Sequence, residues 1–229
     1  MPKLSGLFGS FDNLDLISIE AVASRLKPTP NLIQLENYLA NKILYPQTLP
    51  LNENEMKIDL SILREALKIN SPKSVDKKTD SLLGYNPFLN ITLRNILIPK
   101  KFLGFIPNLV SLTWAFVDGL LLDRKKGDFF QDVWTVILTD DMNEVVGSVL
   151  LPQFEDKNDR MDLNILNEQN SSSSKNYQIR PGSLTIIPCP KDRCQLSYKF
   201  NKGTILGKKE SAVEVYGGNL GLMIDGRNT

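Results

Sequence analysis

The chain has 229 residues, 41% of them apolar, which is enough for one large domain or two small ones with a hydrophobic core. Its 27 basic and 26 acidic side chains leave a formal net charge of +1, which gives the chain as a whole no attraction for nucleic acid. Histidine is absent, which excludes histidine-dependent triads, an HExxH zinc site and a histidine general base.

Apolar residues at helical spacing predict three helices between residues 15 and 69. The helices are expected over 15–26, 30–43 and 59–69. Asp15 and Asp59 are placed to cap the first and the third, because a side-chain oxygen at the cap accepts a hydrogen bond from the first turn. Thr29 followed by Pro30 is the start signal of the second. The first half of the chain is therefore expected to be helical.

A polar, lysine-rich loop is expected over 71–80, followed by a short helix over 87–97. Ile91 and Thr92 suit a strand equally well, because both side chains are β-branched. Both possibilities stay open from the sequence.

Residues 102–122 are apolar over about the length of a membrane span. The segment contains Asp118, and a charged side chain is costly in lipid. Basic residues flank the segment on both sides, so they give no bias of orientation. We therefore expect buried core segments here, and no membrane association.

From residue 132 onward the apolar pattern changes from helical to alternating. Residues 132–139 are rich in β-branched and aromatic side chains, and 144–151 is the expected partner strand across a turn at 140–143. Residues 153–176 are charged and end in four serines, so we expect a long mobile loop there, with a brief element over 161–165.

Further strands are expected near the end of the chain, over 182–188, 194–200, 212–216 and 219–225. Gly217 and Gly218 lie between the last two strands and predict a tight hairpin turn, because glycine accepts positive φ angles. The predicted fold is therefore α+β. It has a mainly helical region at 1–126 and a small antiparallel β-domain, a barrel or a sandwich, at 127–229.

Cys189 and Cys194 flank a four-residue segment that suits a hairpin loop. Their side chains can then face each other, so a disulfide or a redox pair competes with two free thiols at strand ends. Disulfides are rare in reducing compartments, which favours the free thiols. The spacing is not that of a thioredoxin-type CxxC motif, and two cysteines alone cannot complete a zinc site.

Carboxylates are the other candidate groups for chemistry. An acidic cluster is expected around the turn at 140–143, formed by Asp132, Asp140, Asp141 and Glu144. Such oxygens suit a metal ion, but aspartates also make local hydrogen bonds in turns, and we favour the turn. Asp118 and Asp123 flank an apolar stretch, where a buried acid and a loop-end cap compete, and we favour the cap. No catalytic, cofactor-binding or metal-binding residue is therefore assigned.

The glycines do not indicate a nucleotide site. Gly6 and Gly9 are not followed by the Lys-Ser/Thr pair of a phosphate-binding loop. Gly217, Gly218 and Gly221 do not precede a predicted helix, as a dinucleotide-binding motif would require. We expect no cofactor.

Three sequence patterns resemble a known family. Residues 181–188 read PGSLTIIP, residues 213–227 read VEVYGGNLGLMIDGR, and residues 28–31 read PTPN. Together they resemble the β-rich region that follows the actin-like ATPase core in bacterial proteins of the glutamate-mutase-reactivation (MutL-like) type, over about half of the chain. The resemblance implies an accessory module. The glycine-rich phosphate strands of the ATPase core have no counterpart in this sequence, so no nucleotide-binding residue is carried over.

The functional hypothesis is a non-catalytic accessory or protein-interaction protein whose partner is another protein. The alternative is a carboxylate-based enzyme or a nucleotide-dependent activator of another enzyme, which would rely on Asp, Glu, Lys, Tyr or the two cysteines. Residues 1–10 have no apolar segment of the kind found in signal peptides, so a cytoplasmic location is expected.

Overall fold

A computed structural model describes residues 11, 13–70, 93–121, 130–139, 144–166, 175–189 and 193–227. The chain divides into two compact units. One contains Met1–Asn90 and Lys100–Asp128, and the other contains Ile91–Pro99 and Phe129–Thr229. The division suggested by the sequence, 1–126 and 127–229, assigns 91–99 to the helical region, whereas these residues group with the strands.

The first unit is helical in its described residues. A 3₁₀ turn at Leu14–Leu16 precedes α1 (Ile19–Ser24), α2 (Leu32–Leu44), α3 (Glu53–Asn70), α4 (Phe102–Phe105) and α5 (Leu109–Leu121). Helix α3 packs against both α1 and α5. Fully buried aliphatic side chains on these helices form the core, among them Val22, Ile62, Leu63, Ala66, Leu112 and Ala115. The three predicted N-terminal helices are therefore present.

Their starting points differ from the prediction because other side chains provide the caps. Ser18, not Asp15, caps α1 by accepting a hydrogen bond from the Ala21 amide. Asn31, not Thr29, caps α2. Helix α3 begins six residues earlier than expected, which places Asp59 inside the helix.

The start of α3 is held by a reciprocal pair of hydrogen bonds. The Glu55 amide donates to Asn52 Oδ1 at 3.0 Å, and the Glu55 carboxylate accepts from the Leu51 amide at 2.8 Å. This arrangement satisfies amides that the first helical turn leaves without partners.

The described part of the apolar segment, 102–121, folds as two helices, α4 and α5, with Pro107 between them. Phe102, Leu112 and Phe116 are buried, as expected for core segments. Among the described residues, no helix combines the length and the apolar character needed to cross a membrane.

The second unit contains two sheets. Its strands are β1 (Leu93–Pro99), β2 (Phe130–Thr139), β3 (Glu144–Leu150), β4 (Met161–Leu166), β5 (Lys175–Ile179), β6 (Leu184–Ile187), β7 (Arg193–Phe200), β8 (Glu210–Tyr216) and β9 (Gly221–Asp225). The five-stranded sheet has the order β1-β2-β3-β9-β6, and the four-stranded sheet has the order β5-β4-β7-β8. The α+β fold class is thus confirmed.

Side chains from both sheets form one hydrophobic core. The five-stranded sheet contributes Leu150, Ile187, Leu222 and Ile224, and the four-stranded sheet contributes Met161, Leu163, Leu196, Tyr198 and Val215. Two sheets that share a core in this way form a sandwich. The four-stranded sheet is antiparallel throughout, whereas the five-stranded sheet is mixed, because β1 runs parallel to β2 and β3 runs parallel to β9.

Several strands lie where the sequence predicted them. The antiparallel pair β2 and β3 confirms the strands expected at 132–139 and 144–151, and β6 to β9 match the four strands expected near the end of the chain. The turn at 140–143, including Asp140 and Asp141, lies outside the described residues.

Three local expectations have other outcomes. Of the helix and the strand left open over 87–97, the strand is found at Leu93–Pro99, and 87–92 lies outside the described residues. The brief element expected over 161–165 is present as β4, which pairs with β5 on one side and β7 on the other, so the mobile loop expected around it is wrong for 153–166, and 167–174 lies outside the described residues. The hairpin at Gly217 and Gly218 does not form, because β8 and β9 belong to different sheets.

The turn before β4 is organised by one buried carboxylate. Asp159 accepts four backbone hydrogen bonds, from the amides of Glu155, Arg160, Lys202 and Gly203, at 2.6–3.2 Å. The carboxylate thereby joins the turn before β4 to the turn after β7. This buried side chain explains why a charged segment is ordered here.

Replacing Asp159 with asparagine should destabilise the β unit by about 1–3 kcal/mol, because an amide cannot accept from all four donors and buried amides without a partner are costly. Asp156→Asn is the matched control. It changes the same group three residues away, in an exposed ion pair with Lys202, and should have little effect. Hydrogen exchange of peptides from β4 and β7 would measure both, and equal protection in the two variants would contradict the role given to Asp159.

Candidate functional site

Asp118, which the sequence placed at a loop end, lies buried inside α5. Its Oδ2 is 3.4 Å from Arg64 Nε and 3.9 Å from Arg25 Nη1. Arg25 in turn contacts Glu65 at 2.9 Å. Two positive and two negative side chains thus link the end of α1 with α3 and α5. The pairing gives Asp118 a structural role in the helical core. The prediction that it caps a loop end is wrong.

Two members of the acidic cluster expected around 140–143, Asp140 and Asp141, lie outside the described residues, as does Asp123. Glu144 is exposed at the start of β3. Over the ranges that the structure describes, no three histidine, cysteine, aspartate or glutamate side chains come together as metal ligands.

A buried ion pair lies between α2 and α3. Lys42 Nζ donates to Asp59 Oδ2 at 2.9 Å, and both side chains are almost fully buried. Tyr38 donates its hydroxyl to the other oxygen of Asp59 at 2.9 Å. Burial raises the pKa of Asp59 above its usual value, because the desolvation of the carboxylate outweighs the hydrogen bonds that favour its charged form.

The same lysine also fixes the loop between α2 and α3. Lys42 Nζ donates a second hydrogen bond to the Thr48 carbonyl at 2.8 Å. Within the loop, the Thr48 amide and hydroxyl both donate to the Tyr45 carbonyl, and the Leu51 amide donates to Glu55. The loop is therefore tied to both helices and to itself.

The last residue of α2 and this fixed loop expose apolar side chains. Leu44 is 70% exposed, Tyr45 55%, Leu49 56% and Leu51 86%. We call these four residues the apolar loop. Loops usually present polar side chains, so four exposed apolar side chains held in place within eight residues mark a candidate interaction surface. Elsewhere among the described residues, Leu97, Ile186 and Leu206 are exposed singly, and Leu32 and Ile33 form an exposed pair at the start of α2.

Sequence reasoning missed this surface. Ile43, at the end of the second predicted helix, is exposed beside it. A usable signal was present, because residues 44–51 read LYPQTLPL, an apolar stretch with two prolines that neither a helix nor a strand interior accommodates. Asp59 was noticed, but only as a cap.

The two cysteines are brought together, as the sequence allowed, although not across a hairpin within one sheet. Cys189 follows β6 of the five-stranded sheet, and Cys194 lies in β7 of the four-stranded sheet. Both are free thiols; Cys194 is buried in the core, and Cys189 is partly buried against it. Interaction with Cys189 lowers the pKa of Cys194, whereas interaction with Cys194 together with burial raises the pKa of Cys189.

A scan against protein-family models and searches of curated proteins and of solved structures found no match to the chain. The resemblance to glutamate-mutase-reactivation proteins therefore stays a prediction.

Proposed function

We propose that this chain is a non-catalytic protein-interaction protein whose helical unit binds a partner protein through the apolar loop. The observation that supports this proposal is the exposure of Leu44, Tyr45, Leu49 and Leu51 on a loop that a buried ion pair holds in place. A fixed loop loses little conformational freedom on binding, which favours association.

The shape of the loop indicates the kind of partner. Its side chains protrude, so they fit best into an apolar groove on another protein. A stable interface buries about 800 Å² on each side, which is more than a few loop side chains provide when two copies meet face to face. We therefore commit to a partner that supplies the groove, with the apolar loop as the central anchor.

A cytoplasmic location and independence from nucleic acid are parts of the same proposal. The net charge of +1 supports the second, because proteins that bind nucleic acid usually show a basic excess. The accessory role implied by the family resemblance is compatible with a groove-containing partner but does not identify it.

The partner can be captured by placing a photo-crosslinking amino acid at Tyr45 in the full chain, expressed in its native host. A second chain with the crosslinker at Leu206, an exposed position in the β unit, is the matched control. We expect a crosslinked product specific to position 45. Equal products from both positions would contradict binding through the apolar loop. A crosslink between two copies of the chain would contradict a separate partner protein and indicate self-association.

Leu51→Ser should weaken binding to the captured partner by at least about tenfold, because burial of a leucine contributes roughly 1.5–3 kcal/mol. The fold should be unaffected, since Leu51 contributes little to the core. Leu206→Ser makes the same change at an exposed leucine of the β unit and should leave the affinity unchanged. Isothermal titration calorimetry with the purified partner measures both variants, and equal affinities would contradict the proposal.

A further inference from the structure

Helix α2 exposes apolar side chains on the side that faces away from the core. A surface helix usually buries one apolar stripe and presents charged or polar residues to water. Helix α2 buries Leu35, Leu39 and Lys42, but further apolar residues are exposed along it, at spacings that place them on one side of the helix. We call these residues the outer stripe: Leu32, Ile33, Ala40 and Ile43.

The outer stripe leads directly into the apolar loop. Leu44, the last residue of α2, belongs to that loop and lies four residues after Ala40, on the same side of the helix. The stripe raises the number of exposed apolar residues on this surface from four to eight. Since a stable interface buries about 800 Å² on each side, the helix supplies contact area that the loop alone lacks.

One carboxylate lies in the middle of the outer stripe. Glu36 is exposed, four residues after Leu32 and four before Ala40. The other charged residue of α2, Lys42, is buried and paired with Asp59. Within the described part of the chain, the ion pairs do not include Glu36. A carboxylate that becomes buried among apolar side chains without a cation is costly, so a partner that covers the stripe has to supply one.

A second copy of the chain does not supply this cation through the same surface. Residues 28–56 contain one basic residue, Lys42, and its ammonium group is hydrogen-bonded to Asp59 and to the Thr48 carbonyl. In a symmetric dimer the same surface meets itself, so two Glu36 carboxylates would be buried with no cation from either copy. Charge complementarity therefore favours a different protein.

We propose that the outer stripe and the apolar loop dock together in an apolar groove of a partner protein that carries a lysine or arginine side chain opposite Glu36. The proposed function is the premise here, and the partner gains two features: a groove long enough for α2 and a cation within it. A helix that docks in a groove uses apolar anchors at such spacings along one face. The ion pair at Glu36 would fix the register of the helix in the groove.

Photo-crosslinking in the native host locates the surface. The full chain carries the crosslinking amino acid at Ile33 or, as the matched control, at Gln34, which is exposed on the polar side of α2. We expect the Ile33 position to capture the same protein as the Tyr45 position, and the Gln34 position to give several times less of this product.

The outcomes separate this inference from the proposed function. Capture at Tyr45 without capture at Ile33 would overturn the inference and leave the proposed function standing. If neither position gives a specific product, both fail. A crosslink from Ile33 to a second copy, or to another part of the same chain, would overturn the separate partner.

Binding of the captured partner to purified full-chain variants tests the helix. Ile33→Ser should weaken binding at least about tenfold, because burial of the isoleucine is lost. Gln34→Ser is the control and should bind like the parent. If Ile33→Ser also binds like the parent while Leu51→Ser does not, the loop alone forms the interface and the inference is overturned.

Variants of Glu36 test the cation in the groove. Glu36→Gln should weaken binding several-fold, and Glu36→Lys should weaken it further, because two positive charges would then meet. A rise in salt from about 0.1 to about 1 M shortens the screening length from about 10 to about 3 Å, and should weaken the parent more than Glu36→Gln. Equal affinities of the parent and Glu36→Lys would overturn the basic groove.

Discussion

Gly218→Val is expected to destabilise the β unit by about 3 kcal/mol or more. Gly218 has a φ of +54°, a region that β-branched residues rarely adopt. A Cβ there would lie 2.1 Å from the Val146 carbonyl oxygen, which already accepts a hydrogen bond from the Leu220 amide. Valine would therefore push the segment between β8 and β9 away from Val146 in β3.

Gly182→Val separates backbone strain from close packing as causes of the lost stability. Gly182 also has a positive φ, +78°, but a Cβ at this position would meet no atom within 4 Å. Its cost should be that of backbone strain alone, about 1–3 kcal/mol. Because the chain has two units, unfolding is best followed by hydrogen exchange of peptides from β3 and β9. If both variants lose the same hydrogen-exchange protection, close packing at Gly218 does not contribute to the loss of stability.

The sequence indicated that Gly218 needs a positive φ, but it placed this glycine in a hairpin turn that does not form. Gly217 and Gly218 look like a hairpin turn, since alternating apolar residues flank them on both sides. The apolar residues alternate in both strands because they face one core from opposite sheets: Val213 and Val215 from β8, and Leu222 and Ile224 from β9. Local periodicity shows which face of a strand is buried, but not which strand lies beside it.

The misread loop at 153–176 has a related cause. Its overall composition is charged, yet Met161, Leu163 and Ile165 alternate with polar residues and are buried. The sequence showed this alternation only as a brief element over 161–165, and the Asp159 hydrogen bonds to the distant Lys202 and Gly203 amides cannot be read from sequence. The helices were easier to predict because their signal is local, although their starts depended on which nearby oxygen provides the cap.

The ion pair behind the apolar loop was beyond sequence reasoning for a physical reason. A lysine on a helix is ordinarily solvated. Lys42 is buried because its ammonium group donates hydrogen bonds to both the Asp59 carboxylate and the Thr48 carbonyl. Seventeen residues separate Lys42 from Asp59, and only tertiary packing brings them together.

Lys42→Met should destabilise the helical unit by about 3–5 kcal/mol, because the substitution leaves the buried Asp59 carboxylate without its counter-ion. Tyr38 would remain as a neutral donor to Asp59 but cannot balance its charge. The Thr48 carbonyl loses its hydrogen bond in the same variant, so the apolar loop should loosen as well. Hydrogen exchange of peptides from α2, α3 and the loop measures both effects.

Two comparisons make this expectation specific. Lys57→Met removes a lysine from an exposed ion pair with Glu53 on α3 and should cause no measurable change. In the double variant Lys42→Met with Asp59→Asn, most of the lost stability should return, because no unpaired charge is left in the core. If the double variant is as unstable as Lys42→Met alone, the cost comes from packing or from the released loop, and the buried charge is not its cause.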